Sequence, residues 1–555
     1  MPPYPTDNSV QSWMAYLDSL PSLGEHWVET SRRPGNPVVL VDTLGTTLTA
    51  RRALVGSLLL SRHMARLSPE QHIGLMLPTT AGGLLAGMAV MVLGKTLVPL
   101  NYTAPVDIIV SAVEQAGLKT VYTSRRFLER LKTRGVDLSI LADKVNLVML
   151  EDLQASITTL EKLRTLLACT LLSASSLKRK YCVHTPVNDT AVVLFSSGSE
   201  GNPKGVMLSH RNILANIKQV SKILDANPDD VILANLPIFH SFGLTACQFL
   251  PLLERIKVVC HMDPTDVVAN ANAIQQHKAT LMFGTSSFYR LYIRNPKITR
   301  EHLASLRLTI AGAEKLQSEI SAGFRKRFNL SIYEGYGCTE LAPVATVNNP
   351  FKNTDSPHLK DNNKPGTVGK AVPGTLVRIA DPDTLAPLPQ GTAGMIMVAG
   401  PQVMLGYLND PARNARTIVE RDGQRWYVTG DKGSLDEDGF LTIQDRYTRF
   451  AKISGEMIGL GTVEHAVQAT LEGTETEVMA INIPDPKKGE MIVILTTADL
   501  DEQSLRPQLL AGGLNNLSLP SAYITVETLP KLGSGKADFA TAKEIAHQAI
   551  LGKNA

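Results

Sequence analysis

Residues 194–214 read Leu194-Phe195-Ser196-Ser197-Gly198-Ser199-Glu200-Gly201-Asn202-Pro203-Lys204-Gly205-Val206-Met207-Leu208-Ser209-His210-Arg211-Asn212-Ile213-Leu214. The apolar run 191–195 predicts a buried strand. A loop of hydroxyls and glycines with one lysine follows, and then a helix capped by Ser209 or Asn212. A polyphosphate needs many donors close together, with no bulky side chains between them. Gly198, Gly201 and Gly205 let the backbone approach, Ser196, Ser197 and Ser199 donate, and Lys204 neutralises charge. The spacing is neither G-x-x-x-x-G-K-[ST] nor a G-x-G-x-x-G that opens a helix. On these residues alone, a polar surface loop stands as the alternative to a phosphate loop.

Outward from this stretch, strands and helices alternate. Toward the N-terminus the pattern predicts an amphipathic segment near 10–20, a strand pair within 36–50 and a helix over 51–67. A strand over 72–78, an apolar helix over 82–94, a strand over 96–100, a helix over 107–116 and a strand over 120–123 follow. Toward the C-terminus it predicts strands near 231–237, 258–261, 279–283 and 306–311, with helices between them. This alternation indicates βαβ units and parallel sheets. Residues 150–187 are less regular. Apolar 166–172 precedes Lys178-Arg179-Lys180, which suits either contact with an anionic membrane surface or a packed helix with a solvated charged end. From Pro365 glycines and short alternating strands dominate and predict a small β-rich subdomain. Residues 436–440 read as a hairpin turn, and 445–449 as a polar linker before a small α+β domain.

The bulk properties bound the function. The chain has 555 residues, more than one ordinary core holds, so two or more domains are expected. Lys+Arg 55 against Asp+Glu 52 is too balanced to indicate nucleic acid as a partner. The five cysteines, Cys169, Cys182, Cys247, Cys260 and Cys338, lack metal-ligand spacing and suit a reducing cytoplasm. Neither a signal peptide nor a span of about 20 apolar residues is read.

Two further stretches hold chemistry. Ser331-Ile332-Tyr333-Glu334-Gly335-Tyr336-Gly337-Cys338-Thr339-Glu340 combines an aromatic ring, glycines, a hydroxyl and a carboxylate. Such a set suits a planar base with a cation beside phosphates, or simply a turn with a buried Tyr. Leu532-Gly533-Ser534-Gly535-Lys536 places a lysine on a glycine-flanked loop. His240 lies between Phe239 and Phe242 near a strand end, and Gly312, Ala313 and Glu314 end another, where α/β sheets place ligands.

In this order the stretches resemble the adenylate-forming superfamily of acyl-CoA synthetases, luciferases and peptide-synthetase adenylation domains. The resemblance runs from about residue 25 to 545. Residues 237–243 (PIFHSFG), 311–316 (AGAEKL), 334–343 (EGYGCTELAP), 449–457 (RFAKISGEM) and 532–539 (LGSGKADF) look most like the acyl-ACP synthetase half of bifunctional 2-acylglycerophosphoethanolamine acyltransferase/acyl-ACP synthetases. Residues 1–180 hold no H-x-x-x-x-D acyltransferase motif, so a free-standing ligase is expected.

The resemblance implies an α/β fold with a large N-terminal adenylation domain, 1–445, built of parallel-sheet subdomains plus the β-rich subdomain. A hinge at 446–449, with Arg449 as pivot, and a small mobile α+β domain, 450–555, complete it. Ser196, Ser197, Gly198, Ser199, Gly201 and Lys204 would hold the β- and γ-phosphates of ATP. Gly312, Ala313, Glu314, Glu334, Gly335 and Tyr336 would line the adenine pocket. Thr339 would bond the α-phosphate, Glu340 would hold Mg2+, and Asp431 and Arg446 would bind the ribose. His240 would lie beside the acyl carboxylate, Lys536 would be the catalytic lysine, and Phe239, Phe242, Phe283 and Tyr289 would line an acyl tunnel. The sequence departs from the family pattern at Glu200, Asp445, Arg449 and Leu460. The expected activity is ATP-dependent ligation of a medium- or long-chain fatty acid to acyl carrier protein, with CoA as the next acceptor. A ligase stopping at acyl-AMP and a catalytically inactive membrane-surface binding protein are the competing readings. A serine hydrolase is set aside, since no G-x-S-x-G elbow is present. A cytoplasmic location, with peripheral inner-membrane contact through 166–180, goes with the ligase reading.

Overall fold

The computed structural model describes residues 3–553 except 135, 197–202, 351–361, 448, 454–455, 472–473, 475, 486–487 and 532–536. The chain divides into two compact units. One takes the described parts of Met1–Ser197, Pro203–Val377 and Val398–Tyr427, and the other those of Arg378–Met397 and Val428–Ala555.

Two sheets carry the first unit. The seven-stranded sheet runs Gly406–Tyr407, Lys204–Ser209, Thr190–Ser196, Thr96–Pro99, His72–Leu75, Thr120–Thr123, Asn146–Met149. Its last five strands are parallel, as the strand–helix alternation predicts. The nine-stranded sheet runs Lys370–Ala371, Val344–Val347, Ile332–Gly337, Leu308–Ala311, Leu281–Gly284, Val231–Ala234, Lys257–Cys260, Val38–Asp42, Thr47–Thr49. The six strands from Ile332–Gly337 to Val38–Asp42 are parallel neighbours. Strands covered on both faces need apolar side chains on both, and Val231–Ala234, Leu281–Gly284 and Leu308–Ala311 are buried at every position. The apolar run near 82–94 is the helix Ala81–Val92, buried except at Gly82 and too short to cross a bilayer. Among the described residues, no helix is long and apolar enough to do so.

Two local expectations change. The phosphate-loop candidate does not lead straight into a helix. Lys204–Ser209 first returns as a strand antiparallel to Thr190–Ser196, with Ser196 opposite Lys204. The helix His210–Ile223 then starts with the predicted Ser209 cap, closed by a reciprocal bond with Asn212. The strand is hard to read from sequence because Val206-Met207-Leu208 continues into an apolar helix with no turn residue between. Residues 150–187 are also more regular than their composition indicates. They form the helices Leu150–Ser156, Thr159–Leu171 and Ala174–Tyr181, and the last two start at side-chain caps from Thr158 and Ser173.

The second unit holds the predicted hairpin. Gln424–Leu435 pairs antiparallel with Leu441–Arg446, and the Asp436 carboxylate accepts the N–H groups of Asp438 (3.1 Å) and Phe440 (2.8 Å) in the turn. Asp445 and Arg446, read as linker, belong to the second strand. C-terminal to it, a five-stranded sheet carries the helices Leu460–Thr470, Glu502–Ala511 and Phe539–Lys553. Along Gly489–Thr496, Ile492 and Ile494 face one apolar cluster and Val493 and Leu495 the other. That period of two builds an α+β layer structure.

His210 is buried at the start of its helix, and its Nδ1 accepts the Leu23 N–H at 3.3 Å. Burial pushes its pKa down from 6.5 to about 4. The unfolded chain therefore binds a proton that the folded chain refuses, and stability falls as pH falls from 6.5 toward 4. Urea midpoints across that window should drop more steeply in wild type than in His210→Gln, the difference approaching about 1.4 kcal/mol per pH unit. Parallel profiles would remove His210 as the cause.

Candidate active site

In the nine-stranded sheet the predicted residues meet at the carboxyl ends of parallel strands, which is where open α/β sheets bind ligands. Gly284 lies opposite Ala311, and Ala311 opposite Glu334. Gly312 follows directly, its N–H donating to the Gly284 carbonyl (3.1 Å). Ala313 takes a left-handed backbone, φ 71°, which swings Glu314 back so that its carboxylate accepts the Ser287 N–H and hydroxyl. Glu334 accepts the Leu316 N–H at 3.3 Å. Burial raises its pKa despite that bond. Glu334, Gly335 and Tyr336 continue the same strand. Gly312, Ala313, Glu314 and Glu334 thus form one rim fixed by backbone geometry.

The turn after that strand is tight. A methyl at Gly337 would lie 1.9 Å from the Pro343 carbonyl oxygen, so only glycine fits. The turn presents Thr339 and Glu340. Ser241, which opens the helical segment after Val231–Ala234, donates to the Thr339 hydroxyl at 3.4 Å. His240 precedes it, with its ring 4.5 Å from that of Phe239.

The aromatic candidates separate. Phe239 is 2% exposed and packs edge-on to Tyr102 within the core of the seven-stranded sheet. Tyr289 is fully buried, its hydroxyl donating to the Ile310 carbonyl at 3.0 Å. Phe242 and Phe283 stand edge to face at 6.0 Å, and Phe242 covers Gly312. Of the four, Phe242 and Phe283 border the rim.

The phosphate-loop candidate belongs to the other sheet. Ser196 and Lys204 are paired at the hairpin's mouth, while Ser197, Gly198, Ser199 and Gly201 lie outside the described residues. Gly205 serves packing, since a methyl there would lie 3.2 Å from Leu408, Phe195 and Val193. The strand Gly406–Tyr407 pairs with Val206 and Met207 on this hairpin. From there the Tyr407 hydroxyl donates to Glu340 Oε1 at 2.8 Å, and the Met404 N–H donates to the Glu340 carbonyl at 2.8 Å. Residues 404–407 thereby tie the hairpin of Thr190–Ser196 and Lys204–Ser209 to the Thr339–Glu340 turn.

Sequence reading missed Tyr407. It stands in a glycine-rich stretch that reads only as β texture, and the one available signal was its place directly after Gly406. Burial, and then the Glu340 charge, raise its pKa. The phenol therefore keeps its proton and donates it. Tyr427 is raised well above its ordinary value by burial first and Glu340 second.

The residues fit a hard divalent cation. Among the described residues no cluster of three His, Cys, Asp or Glu could hold a metal. A cation on the Glu340 carboxylate would therefore complete its shell from phosphates and water, the habit of Mg2+ rather than of Zn2+.

In the second unit Asp431 and Arg446 lie opposite each other on paired strands, joined by a 2.8 Å ion pair. Asp431 is buried. Arg449 is held by Glu464 (2.6 Å) and lies over the Phe539 ring (4.2 Å). Lys536 lies outside the described residues.

A family model described as AMP-binding enzyme matches residues 27–408, more than half of the chain. The chain belongs to the AMP-binding enzyme family. This family is the one its motif order resembles. A long-chain-fatty-acid–CoA ligase of Bacillus subtilis is 31% identical over 357 residues, 63% of this chain and 61% of that protein. A feruloyl-CoA synthase of an Amycolatopsis species is 32% identical over 356 residues, 63% of this chain and 68% of that protein. The chain thus matches about three fifths of the Bacillus relative's length. Among solved structures, ATP-bound MatB from Rhodopseudomonas palustris superposes with a TM-score of 0.77 at 22% identity, covering 94% of this chain and 99% of that one. The o-succinylbenzoate CoA synthetase MenE of Bacillus subtilis, complexed with its acyl-adenylate, gives 0.72 at 20%, covering 94% and 98%. At that identity the superpositions establish the shared fold: a large N-terminal α/β part and a small C-terminal domain.

Gly337→Ala should lower the urea midpoint by the equivalent of about 3 kcal/mol, the upper range for overpacking. Gly82→Ala is the control, because its nearest neighbour would be Leu150 at 3.8 Å, and it should be neutral or slightly stabilising.

Proposed function

We propose that this chain activates a medium- or long-chain fatty acid with ATP, forming acyl-AMP, and passes the acyl group to a phosphopantetheine thiol. The observation that carries this reading is the Glu340 carboxylate, held by Tyr407 beside Thr339 and tied to the phosphate hairpin at Ser196 and Lys204.

A carboxylate is a poor acyl donor because its leaving group would be oxide. Attack of a carboxylate oxygen on the α-phosphorus of ATP expels pyrophosphate and leaves an acyl adenylate, whose leaving group is AMP. The attack brings two anions together, so positioning and preorganised positive charge are the main catalytic terms. Carboxylates are ionised near neutral pH, so no general base is needed. Lys204 neutralises the outer phosphates and Thr339 bonds the α-phosphate; Lys536, outside the described residues, is assigned to the reacting oxygens by the motif order alone. Mg2+, when bound at Glu340, supplies charge neutralisation on the phosphates. Glu334, Gly335, Tyr336 and the 312–314 rim receive adenine; the ribose role of Asp431 and Arg446 rests on the motif order. His240 faces the acyl carboxylate, and Phe242 and Phe283 begin the acyl pocket. In the second step a thiol sulfur attacks the carbonyl. A C–S bond forms, the C–O bond to AMP breaks, and the thiol proton is released. The 446–449 segment, with Arg449 as pivot, would carry Lys536 away between the steps. The relatives named as CoA ligases support CoA as the acceptor. Acyl carrier protein is supported by the motif order alone.

The deciding experiment supplies ATP, Mg2+ and a ladder of fatty acids, with CoA and holo acyl carrier protein in separate reactions. Wild type should yield acyl-AMP and one thioester. Lys536→Ala should lower adenylate formation by about 10²–10³, the range for losing one preorganised charge donor. Wild type that forms neither acyl-AMP nor thioester with any acid would sink the reading. Adenylate without thioester would limit the activity to the first step.

Tyr407→Phe removes the bond to Glu340 while keeping the ring. The Mg2+ concentration for half-maximal adenylate formation should rise about tenfold, the size of effect when a ligand loses its orienting partner. Maximal rate at saturating Mg2+ should largely recover. A loss that Mg2+ does not reverse would mean that Tyr407 acts on packing alone.

A further inference from the structure

The helix Thr159–Leu171 packs on the helix Ala50–Leu67 and buries Thr165, Ala168 and Cys169. Its opposite face is the anomaly. Leu160, Leu163, Leu167 and Leu171 recur at i, i+3, i+7 and i+11, which aligns them in one stripe. They are 53%, 52%, 48% and 76% exposed. Leu166, at 40%, borders the stripe. Single exposed leucines need no explanation, but an apolar row along one helix face marks an interaction site.

The exposed charges of this helix and the next are basic. Lys162 and Arg164 flank it on the same helix, and Arg179 and Lys180 are exposed on the next. Lys178 is engaged by Glu29. Across 159–181 the sole acidic residue is Glu161. Its carboxylate is turned inward, accepting the Thr158 N–H and hydroxyl and lying 3.7 Å from Arg66 and 3.6 Å from His63. The outward face therefore offers leucine and cation together.

The geometry points to this face as a docking surface for an anionic lipid bilayer. The helix would lie in the headgroup plane with its leucines in the acyl boundary and its cations among the lipid phosphates. Its 13 residues make a rod about 20 Å long, enough for reversible interfacial seating and too short to span. The alternation of leucine with Lys and Arg around the helix suits the boundary between acyl chains and anionic headgroups. An apolar protein partner would leave Lys162 and Arg164 without counter-charge. This surface lies on its own helix and does not rest on the ligase reading.

Flotation of the full chain with vesicles, in the absence of ATP and acid, tests it. One vesicle set is phosphatidylcholine alone, and the other an equal mixture with phosphatidylglycerol. Wild type should float with the mixed vesicles and much less with the neutral ones, and added salt should release it. The triple variant Leu163→Ser, Leu167→Ser, Leu171→Ser should lose partitioning at least about tenfold with an unchanged thermal midpoint, because these side chains touch solvent. Arg179→Glu with Lys180→Glu should weaken binding to the mixed vesicles only. Wild type that stays in solution with mixed vesicles, or a triple variant that floats like wild type, would overturn the proposal. A lipid-free dimer abolished by the triple variant, with no flotation, would also overturn it and assign the stripe to a contact between copies. Because no step of the assay needs adenylate chemistry, a failed ligase assay leaves this readout intact.

Discussion

The hydrogen bond from Tyr407 to Glu340 is one of several that join the two sheets, with Ala81 N–H to the Asp42 carboxylate (2.7 Å) and the Thr79 hydroxyl to the Leu236 carbonyl (2.7 Å) among the others. Tyr407 sits on a two-residue strand at the edge of the phosphate hairpin, and Glu340 on the turn after a strand of the nine-stranded sheet. Under the proposed function, the hairpin and the Glu340 carboxylate act on one nucleotide only if their separation is fixed. Side-chain contacts between sheets are poor at fixing distance, because apolar packing is non-directional. A directional bond to a buried carboxylate, backed by the Met404 N–H on the same residue, does it.

The same region shows how burial and charge cooperate. Glu340 is 9% exposed, and an ionised carboxylate there needs donors. Tyr407 is suited to that task because burial and the neighbouring charge both oppose loss of its proton. The turn that carries Glu340 is equally constrained by the Gly337–Pro343 approach. The rim of Gly312, Ala313, Glu314 and Glu334 is held by backbone pairings instead, with Gly312 against Gly284 and Glu334 opposite Ala311. Rigid strands place the rim, and the bonds from Tyr407 and Met404 place Glu340 against the hairpin.

Much of this was legible in the chain before any coordinates. The βαβ alternation announced parallel sheets, the apolar 82–94 run announced a buried helix, and Ser209 announced a cap. The exceptions share a cause. The strand Lys204–Ser209 passes into its helix without a turn residue, so its period of two is masked by the helical pattern that follows. The helices of 150–187 expose leucines, which breaks the usual assignment of apolar faces to the core. Phe239 and Phe242 stand three residues apart and read alike, yet one packs into the core of the seven-stranded sheet and the other borders the rim.

By itself the sequence determined which residue types could handle a nucleotide and in what order they occur. Glycine spacing, hydroxyls, carboxylates and strand periodicity are local properties, set by backbone sterics and side-chain chemistry within a few residues. Only the tertiary structure decided which of them meet. Tyr407 lies 67 positions from Glu340, and no local pattern records that pairing. It arises because strands of two different sheets are brought together, and a hydrogen bond exists only where donor and acceptor fall within about 3 Å.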